Sequence, residues 1–121
     1  MKKNLIEANV VLAKCSTFPK TYGIRIERRM DKIWYCTWAF PLSEKTANNE
    51  GFESTMISGR VEYDPEYPGC PFCGTSDWVS CGKCRKITCF TSSDNFFTCM
   101  WCGNSGEVTR SDSFDLHGGD Y

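Results

Sequence analysis

Three Cys-x-x-Cys pairs, Cys70/Cys73, Cys81/Cys84 and Cys99/Cys102, together with the isolated Cys89, place seven of the nine cysteines within residues 70–102 of the 121-residue chain. Thiols at that density must be tied into disulfides, into metal sites or into a core. Half a chain of this length buries too little apolar surface to fold unaided, so its cysteines are needed structurally.

Compartment decides between disulfide and metal, because disulfides persist only in oxidising surroundings. The N-terminus MKKNLIEANVVLAKC imitates a secretory start, with Lys2 and Lys3 ahead of a partly apolar run. Glu7 and Asn9 interrupt that run, VVLA is too short for a signal core, and Lys14 before Cys15 is the wrong context for cleavage or lipidation. No stretch approaches the ~18 apolar residues that span a bilayer. A soluble, cytoplasmic chain without a membrane segment is expected, and its thiols are expected to hold metal.

A Cys-x-x-Cys-Gly turn aims both sulfurs at one ion, and the trailing glycine supports the positive φ of that turn. CPFCG (70–74) and CMWCG (99–103) have this form, and two such knuckles bracketing strands are the pattern of a zinc ribbon. Two ligand pairings are open. One joins Cys70 and Cys73 to Cys99 and Cys102 and leaves Cys81, Cys84 and Cys89 as an incomplete second set. The other joins Cys70 and Cys73 to Cys81 and Cys84 and leaves Cys89, Cys99 and Cys102. The first is preferred because its knuckles share the trailing glycine, whereas Cys84 is followed by Arg85. A second ion would need a fourth donor from Cys15, Cys36, Asp94 or His117, so one zinc is favoured over two. On this reading Cys15 and Cys36 matter far less than Cys70 or Cys99. A four-sulfur site leaves no position open for substrate or water and is therefore structural. His117 is the lone histidine, so no nucleophile–base arrangement has a candidate and no catalytic residue is assigned.

Upstream, YGIRIER (22–28) alternates apolar and polar residues, IWYCTWAF (33–40) is apolar on both faces, and TMISGRVEY (55–63) places Ile57, Val61 and Tyr63 on one face. These read as three strands, with a turn at 29–32, a loop or single helical turn at 42–51 and a bulge at Gly59. SDWVS (76–80), RKITCF (85–90) and SGEVTR (105–110) add short strands, and SDSFDLHGGDY reads as a poorly ordered acidic tail. The expected fold is thus all-β: an antiparallel meander over residues 1–68 packed as one unit on a zinc-ribbon-like module over residues 69–121.

Net charge is −1, unevenly distributed: residues 1–33 carry eight basic and three acidic groups, residues 70–104 three and two. The near-neutral cysteine segment disfavours binding driven by phosphates. Most aromatics are expected in the core. Trp78 and Trp101, next to the knuckles, and the basic cluster Lys83, Arg85 and Lys86 are the candidates for a recognition surface.

The strings CPFCG, WVSCGKCRKITC and TCMWCGNSGEV resemble, in order, the C-terminal metal-binding domain of TerY-type proteins, which join a von Willebrand A domain to a cysteine-rich module. The resemblance covers roughly residues 65–108. Met100 stands where the family's closing knuckle has proline, Gly82 and Lys83 lie between cysteines, and no Asp-x-Ser-x-Ser adhesion motif occurs in the sequence. The resemblance implies an accessory module acting with separate partner proteins, a von Willebrand A protein among them, in bacterial stress-response or phospho-signalling systems. Two functions are therefore expected to compete: a non-enzymatic zinc-stabilised protein-interaction module, and a zinc ribbon that binds nucleic acid.

Overall fold

The computed structural model describes residues 7–43, 55–91, 95–109 and 113–120. All nine elements among them are strands: β1 (Glu7–Lys14), β2 (Thr21–Arg28), β3 (Trp34–Pro41), β4 (Thr55–Tyr63), β5 (Trp78–Ser80), β6 (Ile87–Cys89), β7 (Phe96–Thr98), β8 (Ser105–Glu107) and β9 (Ser113–Asp120). Five of them close a ring. β1 pairs with β2, β2 with β3, β3 with β4, β4 with β9, and β9 returns to β1. A ring with an odd number of strands cannot alternate direction all the way round, so one neighbouring pair must be parallel. That pair is β3–β4, through Trp34↔Val61 and Cys36↔Tyr63; of the loop or helical turn expected at 42–51, residues 44–51 lie outside the described residues. The expected antiparallel meander is therefore corrected to a ring with one parallel junction.

β1 is one of the strands that sequence reasoning missed, with β7 and β9. Its buried run Asn9–Ala13 is covered on both faces. Val11, Ala13 and the following Cys15 enter the main core with Tyr22, Ile24, Ile26 and Trp34, while Val10 and Leu12 lie outside the ring under Phe40, Leu42 and Trp101. A strand buried on both sides reads as a continuous apolar run, which is why it imitates a signal core. Gly23 makes the outer layer compact: a Cβ there would stand 2.8 Å from the Phe40 ring and 2.9 Å from Val10.

β3 reads as apolar on both faces because its phase changes midway. The register with β2 shifts between Arg25 and Ile26, leaving Thr37 as the extra residue of a bulge. Trp34 and Cys36 point inward before it and Ala39 after it, while Trp38 is left 53% exposed. Thr37 Oγ1 fills the gap by donating to the Arg25 carbonyl (3.2 Å) and accepting from Arg25 Nη1 (2.9 Å). The bulge expected at Gly59 is absent, since β4 pairs with β9 in unbroken register through that residue. Gly59 instead has φ of +133° and sits beside the Trp34 indole, whose Nε1 donates to the Ser58 carbonyl.

Residues 113–120, expected as a loose tail, form β9 between β4 and β1. The cysteine-rich strands β5 to β8 are thus an excursion between two strands of the ring. They join it through β6, which pairs in parallel with the end of β1 at Ala13↔Ile87 and Lys14↔Thr88. β5 and β6 form one hairpin, and β7 and β8 another.

Candidate metal centres

The three knuckles share one backbone design. In each, the first cysteine's N–H donates to the carbonyl five residues on: Cys70 to Thr75, Cys81 to Lys86 and Cys99 to Asn104. Its carbonyl accepts from the N–H four residues on, at Gly74, Arg85 and Gly103. Its sulfur accepts from the N–H two residues on, at Phe72, Lys83 and Trp101, each over 3.4 Å. The residue after the second cysteine is left-handed in all three, with φ of +84° at Gly74, +63° at Arg85 and +79° at Gly103. Arg85 therefore does what glycine does in the other two, so the trailing glycine does not discriminate between pairings.

Neither expected pairing is the one found. Cys70 and Cys73 stand with Cys15 and Cys89, and Cys81 and Cys84 stand with Cys99 and Cys102, the four sulfurs of each group lying within 4.8 Å of one another. Strand pairing explains both. The parallel β1–β6 register that sets Lys14 opposite Thr88 brings the next residues, Cys15 and Cys89, side by side, and the knuckle of residues 70–73 supplies the other two sulfurs. Knuckles 81–84 and 99–102 are the turns of the β5–β6 and β7–β8 hairpins, which face each other. Of the proposed fourth donors, Cys15 is in a cluster. Cys36 is buried in the main core and belongs to neither group, Asp94 lies outside the described residues, and only the backbone of His117 is described, within β9.

Sulfur separations match a tetrahedral ion. Cys73–Cys89 and Cys84–Cys99 are 3.6 Å apart and Cys81–Cys102 3.7 Å, against the ~3.8 Å edge of a tetrahedron with metal–sulfur bonds of about 2.3 Å. Disulfide sulfurs would lie about 2.05 Å apart, and all nine cysteines are free thiols. Both four-cysteine groups can therefore hold a zinc-type ion, and the donor set fits a soft, four-coordinate metal.

The first cluster is wrapped more fully by the protein. Cys89 accepts from Ser16 N–H (3.2 Å) and lies 3.5 Å from Ser16 Oγ, and Cys15 accepts from Phe18 N–H (3.4 Å). Cys15, Cys70 and Cys89 are all buried. In the second cluster Cys81 and Cys99 are buried, while Cys102 is exposed. Burial opposes ionisation of Cys81, yet the N–H groups of Cys84 and Lys83 and the neighbouring thiols outweigh it and bring its pKa to about 7. Burial pushes Cys84 and Cys89 up to about 12, and adjoining thiols add to it. Ionising four sulfurs this close requires a cation among them.

The chain matches no protein-family model, no curated protein and no solved structure. Its function must be argued from the site itself.

The recognition candidates separate. Trp78 packs against the main core and meets Tyr63 edge-on, with ring centroids 6.4 Å apart. Trp101 covers Val10 and Leu12, donates from Nε1 to the Ile87 carbonyl (2.8 Å) and carries the Lys14 and Lys86 ammonium groups, each 4.5 Å from its ring. Lys83 is exposed and Arg85 half-buried. Lys14 was not foreseen, because its place over Trp101 depends on the β1–β6 pairing. Among the described residues no helix is long and apolar enough to cross a membrane.

Proposed function

We propose that the chain is a non-enzymatic, zinc-stabilised interaction module: a zinc-ribbon-like pair of knuckle-tipped hairpins, fixed on a β-ring, that offers the surface around Trp101 to a protein partner. One observation carries this reading. All eight clustered thiols are used in two complete four-donor sets, and a filled tetrahedral site stabilises a fold while leaving no position for substrate. The resemblance to TerY-type modules supports a cytoplasmic accessory role beside a von Willebrand A protein in a bacterial stress-response or phospho-signalling system.

The two lysines over Trp101 also favour a second reading, a stacking and phosphate-binding platform for single-stranded nucleic acid. The arginines of the N-terminal basic segment speak against it. Arg25 is paired with Glu27 (2.8 Å), Arg28 with Glu7 (3.5 Å), and Arg29 with both Glu27 (2.9 Å) and Asp64 (2.6 Å). Titrating mixed single-stranded oligonucleotides across a salt series separates the two. Weak or absent binding supports the protein-interaction reading, and tight binding that weakens steeply with salt replaces it. For the favoured reading, the double variant Trp101→Ala, Lys86→Ala should lose capture of a co-purified partner while keeping its zinc. Unchanged capture would move the surface elsewhere.

A further inference from the structure

The two clusters differ in how far their sulfurs can be reached. In the first, Cys15 and Cys89 are 0% and 1% exposed and Cys70 3%, with only Cys73 half-buried. Backbone N–H groups of Phe18, Phe72 and Ser16 donate to Cys15, Cys70 and Cys89 respectively. In the second, Cys102 is the exposed cysteine of the eight. Among the described residues the hydrogen-bonding neighbour of its sulfur is another sulfur, Cys81, at 3.7 Å. Cys81 is 0% exposed and receives the Lys83 N–H. An N–H donor withdraws charge from a thiolate and a covering side chain bars approach, so both differences favour attack at Cys102.

We propose that Cys102 is a modification site for small electrophilic oxidants of the peroxide class, and that its oxidation opens the second centre through a Cys81–Cys102 disulfide while the first centre stays intact. The proposal rests on the reading that both clusters hold zinc. The Cys102 thiolate attacks one peroxide oxygen; the S–O bond forms, the O–O bond breaks, and hydroxide leaves with the bonding pair. The Cys81 thiolate then attacks the sulfenic sulfur of Cys102; the S–S bond forms, the S–O bond breaks, and a second hydroxide leaves. Two thiolates are oxidised by two electrons in all and one peroxide is reduced to two hydroxides. The sulfurs close from 3.7 Å to about 2.05 Å, and the remaining pair, Cys84 and Cys99, no longer makes a four-donor site.

The consequence is local. Cys81 and Cys102 sit at the tips of the β5–β6 and β7–β8 hairpins, whereas β1 and β6 remain joined through Cys15 and Cys89. Oxidation would alter the neighbourhood of Trp101, next to Cys102 in the chain, without dismantling the ring.

The full chain, purified with its metal, is exposed to a small excess of hydrogen peroxide, and bound zinc is followed by native mass spectrometry. Free thiols are then alkylated and the disulfide is mapped in the digest. The expected result is loss of one of two zincs roughly tenfold faster than the other, with a Cys81–Cys102 linkage and recovery of the second zinc after dithiothreitol and added zinc. A parallel sample treated with N-ethylmaleimide should show its first adduct at Cys102, which needs no variant that might fail to fold. Simultaneous loss of both zincs, a linkage confined to the first cluster, or a first adduct at Cys73 overturns the proposal. Fewer than two zincs before peroxide is added overturns the two-centre reading, and this inference with it.

Discussion

The Ser16 N–H donates to the Cys89 sulfur over 3.2 Å, joining the turn that ends β1 to the last residue of β6 across 73 positions of sequence. The same turn is closed by Cys15 N–H to the Lys20 carbonyl and aims the Cys15 sulfur at the same centre. The first cluster therefore ties the ring to the cysteine-rich excursion, whereas the second ties only one hairpin of that excursion to the other.

Cys15→Ser is accordingly expected to be as damaging as Cys70→Ser, against the expectation from sequence that it would be mild. Removing one of four thiolates should weaken that centre by more than the roughly 10–100-fold of an outer-shell change, and structural zinc contributes on the order of 10 kcal/mol to small sites. Native mass spectrometry should find two zincs in the wild type and one in Cys15→Ser. A variant that keeps both would remove Cys15 from the ligand set.

Cys36 is the control. It is 1% exposed, and burial pushes its thiol up to about 12. It behaves as a small neutral hydrophobe. Cys36→Ala should keep both zincs and lose about 1 kcal/mol through the small cavity it leaves. Loss of a zinc would mean that Cys36 serves a centre.

The parts of this molecule legible in sequence are those fixed locally. β2 and β4 follow from alternation, and each knuckle from its own spacing, because the i+4 and i+5 backbone bonds lie within one turn. Which knuckle meets which cysteine is not local. It depends on β1 lying parallel to β6, and β1 is disguised by burial on both faces. β9 was equally hidden, since SFDLHGGD has the acidic, glycine-containing composition of a tail and gains its place by pairing with β4 and β1. Arg85 misled for a third reason: a left-handed non-glycine residue leaves no signal in composition.

Arg85 offers a direct test of that last point. With φ of +63° it occupies a conformation costing roughly 1 kcal/mol or more in a residue with a Cβ, and more in a β-branched one. Arg85→Val should therefore destabilise the chain by about 1–2 kcal/mol, while Arg85→Gly, matching Gly74 and Gly103, should be neutral or stabilising with both zincs kept. Chemical denaturation of the three zinc-loaded proteins reads the order. Equal stability of the valine and glycine variants would contradict the left-handed assignment.

Glu27 supplies a pH test on the ring itself. Its carboxylate accepts from Arg25 Nη1 (2.8 Å) and Arg29 Nε (2.9 Å), and these hydrogen bonds, Arg25's first, outweigh burial and hold its pKa below the ordinary glutamate value. A depressed folded pKa means that the stabilisation is fully present above the unfolded value of about 4.3 and is lost as pH falls through the folded one. The side chain is 16% exposed and its partners 26% and 35%, so solvent screening limits the contribution to about 1 kcal/mol. Glu27→Gln should thus be less stable than wild type by up to that amount at pH 7, with the difference steady down to about pH 5 and vanishing below the folded pKa. Acid also protonates the clustered thiols, but it does so in both proteins, and the difference cancels it. Denaturation of the pair at matched pH measures this. A difference that persists unchanged at pH 3 would show that Glu27 acts through packing instead of charge.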